Sequence, residues 1–107
     1  MAVSEVNVEE LASALQSGAR LIDVREIAEY ESGHVPGAVL VPLASVPYSL
    51  GQFPTGQTNF VICRSGARSH RACEFLLDQG IDAVNVAGGT LAWVSSGRDT
   101  VIGDKPA

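Results

Sequence analysis

One ten-residue segment, residues 60–69, restricts the possible folds of this chain more than any other. An apolar run of strand type ends at Cys63, a short polar loop follows, and a helical pattern begins at Ser69. A loop between a buried strand and a helix N-terminus collects backbone N–H groups that have no partner within the helix. Together with the helix dipole, these donors favour negative charge. The sequence therefore predicts an anion site whose first candidate anion is the thiolate of Cys63.

Positive charge is concentrated next to this cysteine. Arg64, Arg68 and Arg71 place three of the seven Lys and Arg residues within eight positions of a chain whose formal charge is −5. Such surroundings lower the pKa of a thiol, so we expect the pKa of Cys63 to lie below the free value of about 8.5. The alternative is a small buried hydrophobe at a strand end. Because functional sites gather charge partners, the arginines favour a nucleophilic sulfur.

Strand and helix patterns alternate along the rest of the chain, which is typical of a parallel sheet covered by helices on both faces. The predicted strands are residues 3–6, 21–24, 39–41, 60–62 and 83–86, and the predicted helices are residues 8–15, 26–32, 69–79 and 90–96. Residues 43–50 have weak helical character interrupted by Pro47. Since right-handed crossovers bring the loops after parallel strands to one edge, that edge is the expected site.

Polar residues and glycines follow several of these strands. Asp23 and Arg25 end the second, Cys63 ends the fourth and Gly88 follows the fifth, so one site could hold all of them. For Arg25, an exit into solvent is an equal alternative. Asp23 lies between two apolar residues and is expected to cap or pair with loop groups.

Composition narrows the class of protein. A length of 107 residues predicts one domain, and the net charge of −5 disfavours nucleic acid and anionic membranes as partners. No apolar run approaches a membrane span and no signal-peptide pattern opens the chain, so the expected location is cytoplasmic. Cys63 and Cys73 lack metal-ligand spacing, and we expect neither a metal nor another cofactor. Cys73 is predicted to belong to the core.

Three motifs, in this order, carry a resemblance to a known family. They are Asp23-Val24-Arg25-Glu26 with Glu29-Tyr30 and Gly33-His34-Val35-Pro36-Gly37-Ala38; Cys63-Arg64-Ser65-Gly66-Ala67-Arg68-Ser69; and Gly88-Gly89 with Ala92-Trp93. The chain resembles a single-domain rhodanese, a member of a family of sulfurtransferases, from about residue 21 to residue 97. The resemblance implies one domain over residues 1–107, with a C-terminal tail from about residue 98. It also implies a three-layer α/β/α fold around a five-stranded, mainly parallel sheet.

The resemblance further implies a reaction. Cys63 would take a sulfane sulfur from a small-molecule donor such as thiosulfate, become a persulfide, and pass the sulfur to cyanide or a thiol. The implied substrate-binding residues are Arg64, Ser65, Gly66, Ala67, Arg68 and Ser69, with support from Asp23, Arg25 and Gly88. The arginines are expected to supply charge and the loop amides hydrogen bonds, while Gly66 adopts a positive φ. Ser69 is expected to cap the helix or to hydrogen bond the sulfur.

Three alternatives to a free-standing sulfurtransferase are open at this stage. The protein could be a persulfide carrier that delivers sulfur to a partner protein. A cysteine phosphatase is less favoured, because its C-x-x-x-x-x-R loop is one residue longer than the spacing from Cys63 to Arg68. A non-catalytic binding module is disfavoured because the cysteine is present.

We predict that Cys63→Ser abolishes sulfur transfer in a folded protein, whereas Cys73→Ala keeps substantial activity. The reason is their placement, one in a strand-to-helix loop and the other on a helix face predicted to be buried. Thiocyanate formation from thiosulfate and cyanide measures the activity, and circular dichroism is the folding control. A comparable loss of activity in both folded variants would contradict the prediction.

Overall fold

Five short strands form one parallel sheet at the centre of the protein, in a computed structural model that describes residues 2–107. The strands are β1 (Glu5–Val6), β2 (Arg20–Asp23), β3 (Val39–Leu40), β4 (Asn59–Ile62) and β5 (Ala83–Val86). Their order across the sheet is β1-β5-β4-β2-β3, and each neighbouring pair is parallel. The central strand β4 is the one that leads to Cys63.

Helices cover both faces of this sheet. They are α1 (Val8–Gln16), α2 (Ile27–Ser32), α3 (Ala67–Asp78) and α4 (Gly89–Ser95), with 3₁₀ segments at Leu43–Tyr48 and Leu50–Gln52. One core cluster joins the sheet to α3 and the 3₁₀ segments, and a second joins it to α1, α2 and α4. The predicted three-layer α/β/α fold is therefore confirmed. No helix in residues 2–107 is long and apolar enough to cross a membrane.

The alternation of side chains along β4 decides which way Cys63 points. Val61 and Cys63 pack in the cluster on the α3 face, whereas Ile62 packs in the cluster on the opposite face. This follows from the two-residue period of a strand. The sulfur therefore lies under the N-terminus of α3, at the carboxyl end of the sheet.

The helix after Cys63 begins earlier than the sequence indicated. Its predicted start at Ser69 is wrong: α3 starts at Ala67, and Gly66 occupies the N-cap position with a φ of 114°. Because glycine adopts this left-handed backbone without strain, the chain turns at Gly66 and the helix starts at the next residue. Ser69 consequently lies inside the first turn, where it is buried, and its hydroxyl contacts Cys63 and Asn85 as well as the carbonyl of the N-cap residue Gly66.

Local sequence patterns account for two further elements. Asn7 and Glu10 have the spacing of a capping box, and both of its reciprocal hydrogen bonds are formed at the start of α1. The stretch with weak helical character, residues 43–50, falls in two 3₁₀ segments, Leu43–Tyr48 and Leu50–Gln52, and Pro47 lies inside the first of them.

The C-terminal residues, about which the sequence indicated little, pack against the connection between α2 and β3. Val101 and His34 form an antiparallel bridge through both of their backbone groups, at 3.0 and 2.8 Å. The His34 side chain is fully buried, and its ring nitrogens lie 2.8 Å from the carbonyl oxygens of Tyr30 and Lys105. Gly37 donates to the carbonyl of Pro106 at 2.9 Å. These contacts join the last residues to the main fold.

We predict that deleting residues 101–107 lowers the free energy of unfolding by at least about 2 kcal/mol, because several backbone hydrogen bonds are lost at once. For a chain of this size the melting temperature should fall by roughly 8 °C or more. Urea and thermal unfolding of the full and shortened chains measure the difference. Ile102→Ala is the control, since that side chain is 79% exposed and its removal should change little. An unchanged urea midpoint in the shortened chain would show that these contacts add no stability.

Candidate active site

The sulfur of Cys63 is buried and has two hydrogen-bond donors within reach, one from the loop and one from the helix that follow it. The backbone N–H of Gly66 lies 3.1 Å from Sγ, and the hydroxyl of Ser69 lies 3.2 Å from it. Donors from residues three and six positions later converge on a single atom. The arrangement favours negative charge on that atom.

These donors set the pKa of Cys63. Burial alone raises the pKa of the thiol, but hydrogen bonds from the Ser69 hydroxyl and from the backbone amides of Ser69, Gly66 and Ser65 outweigh it. The pKa lies below its ordinary value, and the predicted direction is confirmed. The cause differs from the expectation, because the largest stabilising contributions come from hydrogen bonds rather than from arginine charges.

Arg68 is directed away from the role that the sequence suggested for it. Its two terminal nitrogens donate to both carboxylate oxygens of Glu29 on α2, at 2.8 and 2.9 Å. These hydrogen bonds lower the pKa of Glu29 to about 2, and the same contact raises the pKa of Arg68. The guanidinium therefore ties α3 to α2, and Glu29 offsets most of its charge.

Arg64 remains as the available cation of the loop. Its side chain is exposed and forms no ion pair among residues 2–107. It lines a cavity of about 260 Å³ beside the loop. The other lining residues are Arg25, Glu29, Ser32, Thr90, Leu91, Val94 and Ser95. A small anion entering this cavity meets the side chain of Arg64.

Asp23 and Arg25 form a buried pair that supports the wall of this cavity. The carboxylate of Asp23 accepts from Nε of Arg25 at 3.0 Å, from Nη2 at 2.8 Å and from its backbone N–H at 3.0 Å. Arg25 also donates to the carbonyl of Gly33 at the end of α2. Arg25 is thus paired inside the protein instead of leaving for solvent. Neither side chain hydrogen bonds Cys63, so the pair holds the β2–α2 loop in place.

The turn between β5 and α4 contacts the cysteine loop directly. Thr90 donates to the carbonyl of Cys63 from both its N–H and its hydroxyl, each at 2.9 Å. A Cβ on Gly89, whose φ is 58°, would lie 2.6 Å from that carbonyl oxygen, a distance only glycine avoids. Gly88, which the sequence singled out, has a φ of 77° and forms the N-cap of α4. The carboxyl ends of β4 and β5 therefore meet as expected.

The sequence analysis placed some of these residues in the site and missed others. Ser65 in the loop and Ala67 at the start of α3 are exposed, whereas Gly66 and Ser69 contact the sulfur. Gly89 and Thr90 were not predicted as site residues, although two adjacent glycines after a strand already signal a close backbone approach. Asn85 was also missed. It accepts a hydrogen bond from the Ser69 hydroxyl and so contacts a residue that itself contacts the sulfur. The only signal in the sequence was a polar residue within an apolar strand.

Comparison with known proteins places the chain in a family. The rhodanese-like domain family matches residues 7–96. A sulfurtransferase from Allochromatium vinosum is 36% identical over 92% of this chain and 95% of its own length. The chain belongs to the rhodanese-like family.

Two further comparisons agree with this assignment. A putative sulfur carrier protein, YrkF, from Bacillus subtilis is 35% identical over 85% of this chain, which spans 51% of that relative. The crystal structure of a rhodanese-related protein from Thermoplasma volcanium has a TM-score of 0.85 and 28% identity, over 92% of this chain and 97% of the other. The chain is a rhodanese-like domain of the sulfurtransferase type.

We predict that Glu29→Gln lowers the free energy of unfolding by about 0.5–1 kcal/mol at pH 7, because the partly exposed ion pair with Arg68 is lost. Gln keeps the side-chain oxygen that accepts from the backbone N–H of Glu26. The folded pKa of Glu29 is depressed, from 4.5 to about 2. Its stabilisation is therefore complete above the unfolded value and is lost as the pH falls towards the folded value.

Urea unfolding at several pH values between 7 and 3 measures this difference. The gap between the parent and Glu29→Gln should narrow once the pH falls below the unfolded pKa. Glu31→Gln, at an exposed position on the same helix, is the matched control. A gap that stays constant over the whole pH range would show that the carboxylate charge is not what stabilises the contact.

Proposed function

We propose that this protein is a sulfurtransferase in which Cys63 accepts a sulfane sulfur from a donor such as thiosulfate and carries it as a persulfide. The acceptor is cyanide or a thiol. The observation that carries the proposal is the convergence of the Gly66 amide and the Ser69 hydroxyl on one buried sulfur. These donors hold the pKa of Cys63 below its ordinary value and so favour the thiolate, which is the nucleophilic form. A compartment that keeps thiols reduced, such as the cytoplasm, suits such a nucleophile.

The first step is attack on the outer sulfur of the donor. With thiosulfate, the Cys63 thiolate forms a new S–S bond while the bond between the two donor sulfurs breaks and its electron pair leaves with sulfite. The total charge is conserved, because a thiolate and a dianion become a persulfide anion and a sulfite dianion. Arg64, at the rim of the cavity, attracts the dianionic donor and favours departure of the anionic product.

The second step returns the thiolate. The acceptor attacks the terminal sulfur of the persulfide, and the S–S bond breaks with its electron pair returning to Sγ of Cys63. The amides of Ser65 and Gly66 and the Ser69 hydroxyl then stabilise the returning charge, as they do in the resting thiolate. No cofactor is needed for either step, because each is a displacement at sulfur.

The phosphatase alternative loses support from the contacts of Arg68. A phosphate oxyanion in a cysteine loop needs the loop arginine as a two-pronged donor. Here both terminal nitrogens of Arg68 donate to Glu29. The distance of 3.1 Å between the Gly66 amide and Sγ supports a loop that is sized for one sulfur atom.

A sulfur-accepting protein is the second candidate acceptor. Leu91 and Val94 on α4 are 48% and 54% exposed, and both line the cavity beside Arg64. Exposed apolar side chains in a cavity beside the cysteine loop favour an acceptor with an apolar surface, such as a protein, over cyanide. The relative that is named a putative sulfur carrier protein supports this route.

Mass spectrometry of the intact protein after treatment with thiosulfate tests the proposal. We expect the mass to increase by one sulfur atom, with an equal amount of sulfite released, and cyanide to reverse the increase with formation of thiocyanate. Cys63→Ser should gain nothing, and Cys73→Ala should behave as the parent does. If the parent gains no sulfur from thiosulfate or from another sulfane donor such as a polysulfide, the proposed function is wrong.

A further inference from the structure

A buried chain of polar groups runs from Cys63 into the sheet. The Ser69 hydroxyl lies 3.2 Å from Sγ of Cys63, 3.3 Å from the carbonyl oxygen of Gly66 and 2.5 Å from Oδ1 of Asn85. A hydroxyl has a single hydrogen, so these three acceptors compete for it. The shortest contact is the one to Asn85, on strand β5. The Ser69 hydroxyl therefore donates to Asn85 when the sulfur of Cys63 carries no charge.

The orientation of the Asn85 amide is fixed by two acceptors. Nδ2 donates to the carboxylate of Glu5 at 2.8 Å and to the carbonyl of Gly66 at 3.1 Å. Neither of these groups can donate a hydrogen bond when Glu5 is ionised, so the amide nitrogen must face them. Oδ1 is then left to accept from Ser69. Asn85 is only 1% exposed, so an Oδ1 that lost this donor would have no ready access to water.

We propose that Asn85 is a positioning residue that holds the Ser69 hydroxyl whenever the charge is absent from Sγ, and thereby favours the persulfide of Cys63 over its free thiolate. The inference rests on the proposed function. In the thiolate, the charge on Sγ draws the hydroxyl away from Asn85 and leaves Oδ1 unpaired. In the persulfide, the charge lies on the terminal sulfur and Sγ is neutral, so the hydroxyl returns to Asn85.

The same competition acts on the proton of Cys63. In the thiol form the S–H group is able to donate to the Ser69 oxygen while the hydroxyl donates to Asn85, and all three groups are satisfied. Ionisation breaks the last of these contacts. Asn85 therefore opposes part of the lowering of the pKa that the loop donors produce. Removing Asn85 should lower the pKa of Cys63 further, whereas removing the Ser69 hydroxyl should raise it.

Charged and titratable groups lie on several of the elements around Cys63. They are Glu5 on β1, Asp23 and Arg25 at the end of β2, Arg64 in the loop, and Arg68 and Cys73 on α3. Asp23 is paired with Arg25, and Arg68 with Glu29. Burial, with smaller effects from Glu5 and Cys63, raises the pKa of Cys73 to about 12. Cys73 is therefore protonated over the pH range in which Cys63 titrates.

A double-mutant cycle tests the proposal in a Cys73→Ala background. The rate of reaction with iodoacetamide, measured against pH, gives the pKa of Cys63 in the parent, Asn85→Ala, Ser69→Ala and the double variant. We expect Asn85→Ala to lower this pKa by about 0.5 unit, which corresponds to roughly threefold in the ionisation constant. In the Ser69→Ala background the same change should have no effect, because Asn85 acts through the hydroxyl.

The sulfur equilibrium is the second readout. At a fixed ratio of sulfite to thiosulfate and a pH above the pKa of Cys63, intact mass gives the ratio of persulfide to free thiolate. Asn85→Ala should lower that ratio about threefold, and only when Ser69 is present. Asn85→Val is a second variant, whose apolar side chain suits a strand and fills more of the site than alanine does. Asn59→Ala is the matched control, since it removes a buried asparagine from the opposite end of β4.

The two proposals fail in different ways. A pKa that rises or stays unchanged in both Asn85 variants, or a shift that persists without the Ser69 hydroxyl, overturns the role of Asn85. If the four pKa values of the double-mutant cycle are as expected but the parent takes up no sulfur, the hydrogen-bond competition stands. The persulfide step and the proposed function are then both overturned. An equal change in Asn59→Ala would show a general loss of stability and would also overturn the inference.

Discussion

The hydrogen bond from the Gly66 amide to the sulfur of Cys63 is the contact on which the rest of the site depends. It spans only three residues, so the chain must reverse within the loop, and Gly66 supplies the left-handed backbone that the reversal requires. The same reversal starts α3 one residue later and places Ser69 within reach of the sulfur. The end of β4, the loop and the start of α3 are therefore one structural unit. Thr90 on α4 holds this unit in place by donating two hydrogen bonds to the carbonyl of Cys63.

The electrostatics of the site divide between neutral donors and fixed ion pairs. Uncharged N–H and O–H groups surround the sulfur itself, whereas Arg68 and Arg25 are held by carboxylates on α2 and β2. Hydrogen bonds to a buried anion are screened little by salt, in contrast to charges at the surface. The lowered pKa of Cys63 thus depends on geometry. Arg64, which forms no ion pair among residues 2–107, lines the cavity beside the loop. The paired arginines instead connect the elements that form the cavity.

The polar chain through Ser69 and Asn85 links the reactive loop to the edge of the sheet. Glu5 lies on β1 and pairs in register with Asn85, so the outermost strand fixes the orientation of an amide that lies next to the sulfur's own donor. Buried polar networks are restrictive because each member must be satisfied. This one has more acceptors than hydrogens at Ser69. In the proposed reaction, that surplus lets the hydroxyl donate to Sγ when Sγ carries the charge and to Asn85 when it does not.

The sequence by itself determined the order of strands and helices, the parallel sheet, and the position of Cys63 at a strand end before a helix. These features follow from the periodicity of apolar residues, from capping patterns such as that of Asn7, and from glycines that end helices or allow tight turns. All of these signals are local in the chain. Only the tertiary structure decided that Arg68 pairs with Glu29, 39 positions away, and that Asn85 and Thr90 reach the cysteine loop. Such partners depend on which helices and strands become neighbours, and a hydrogen bond is made only when the folded chain brings donor and acceptor within about 3 Å.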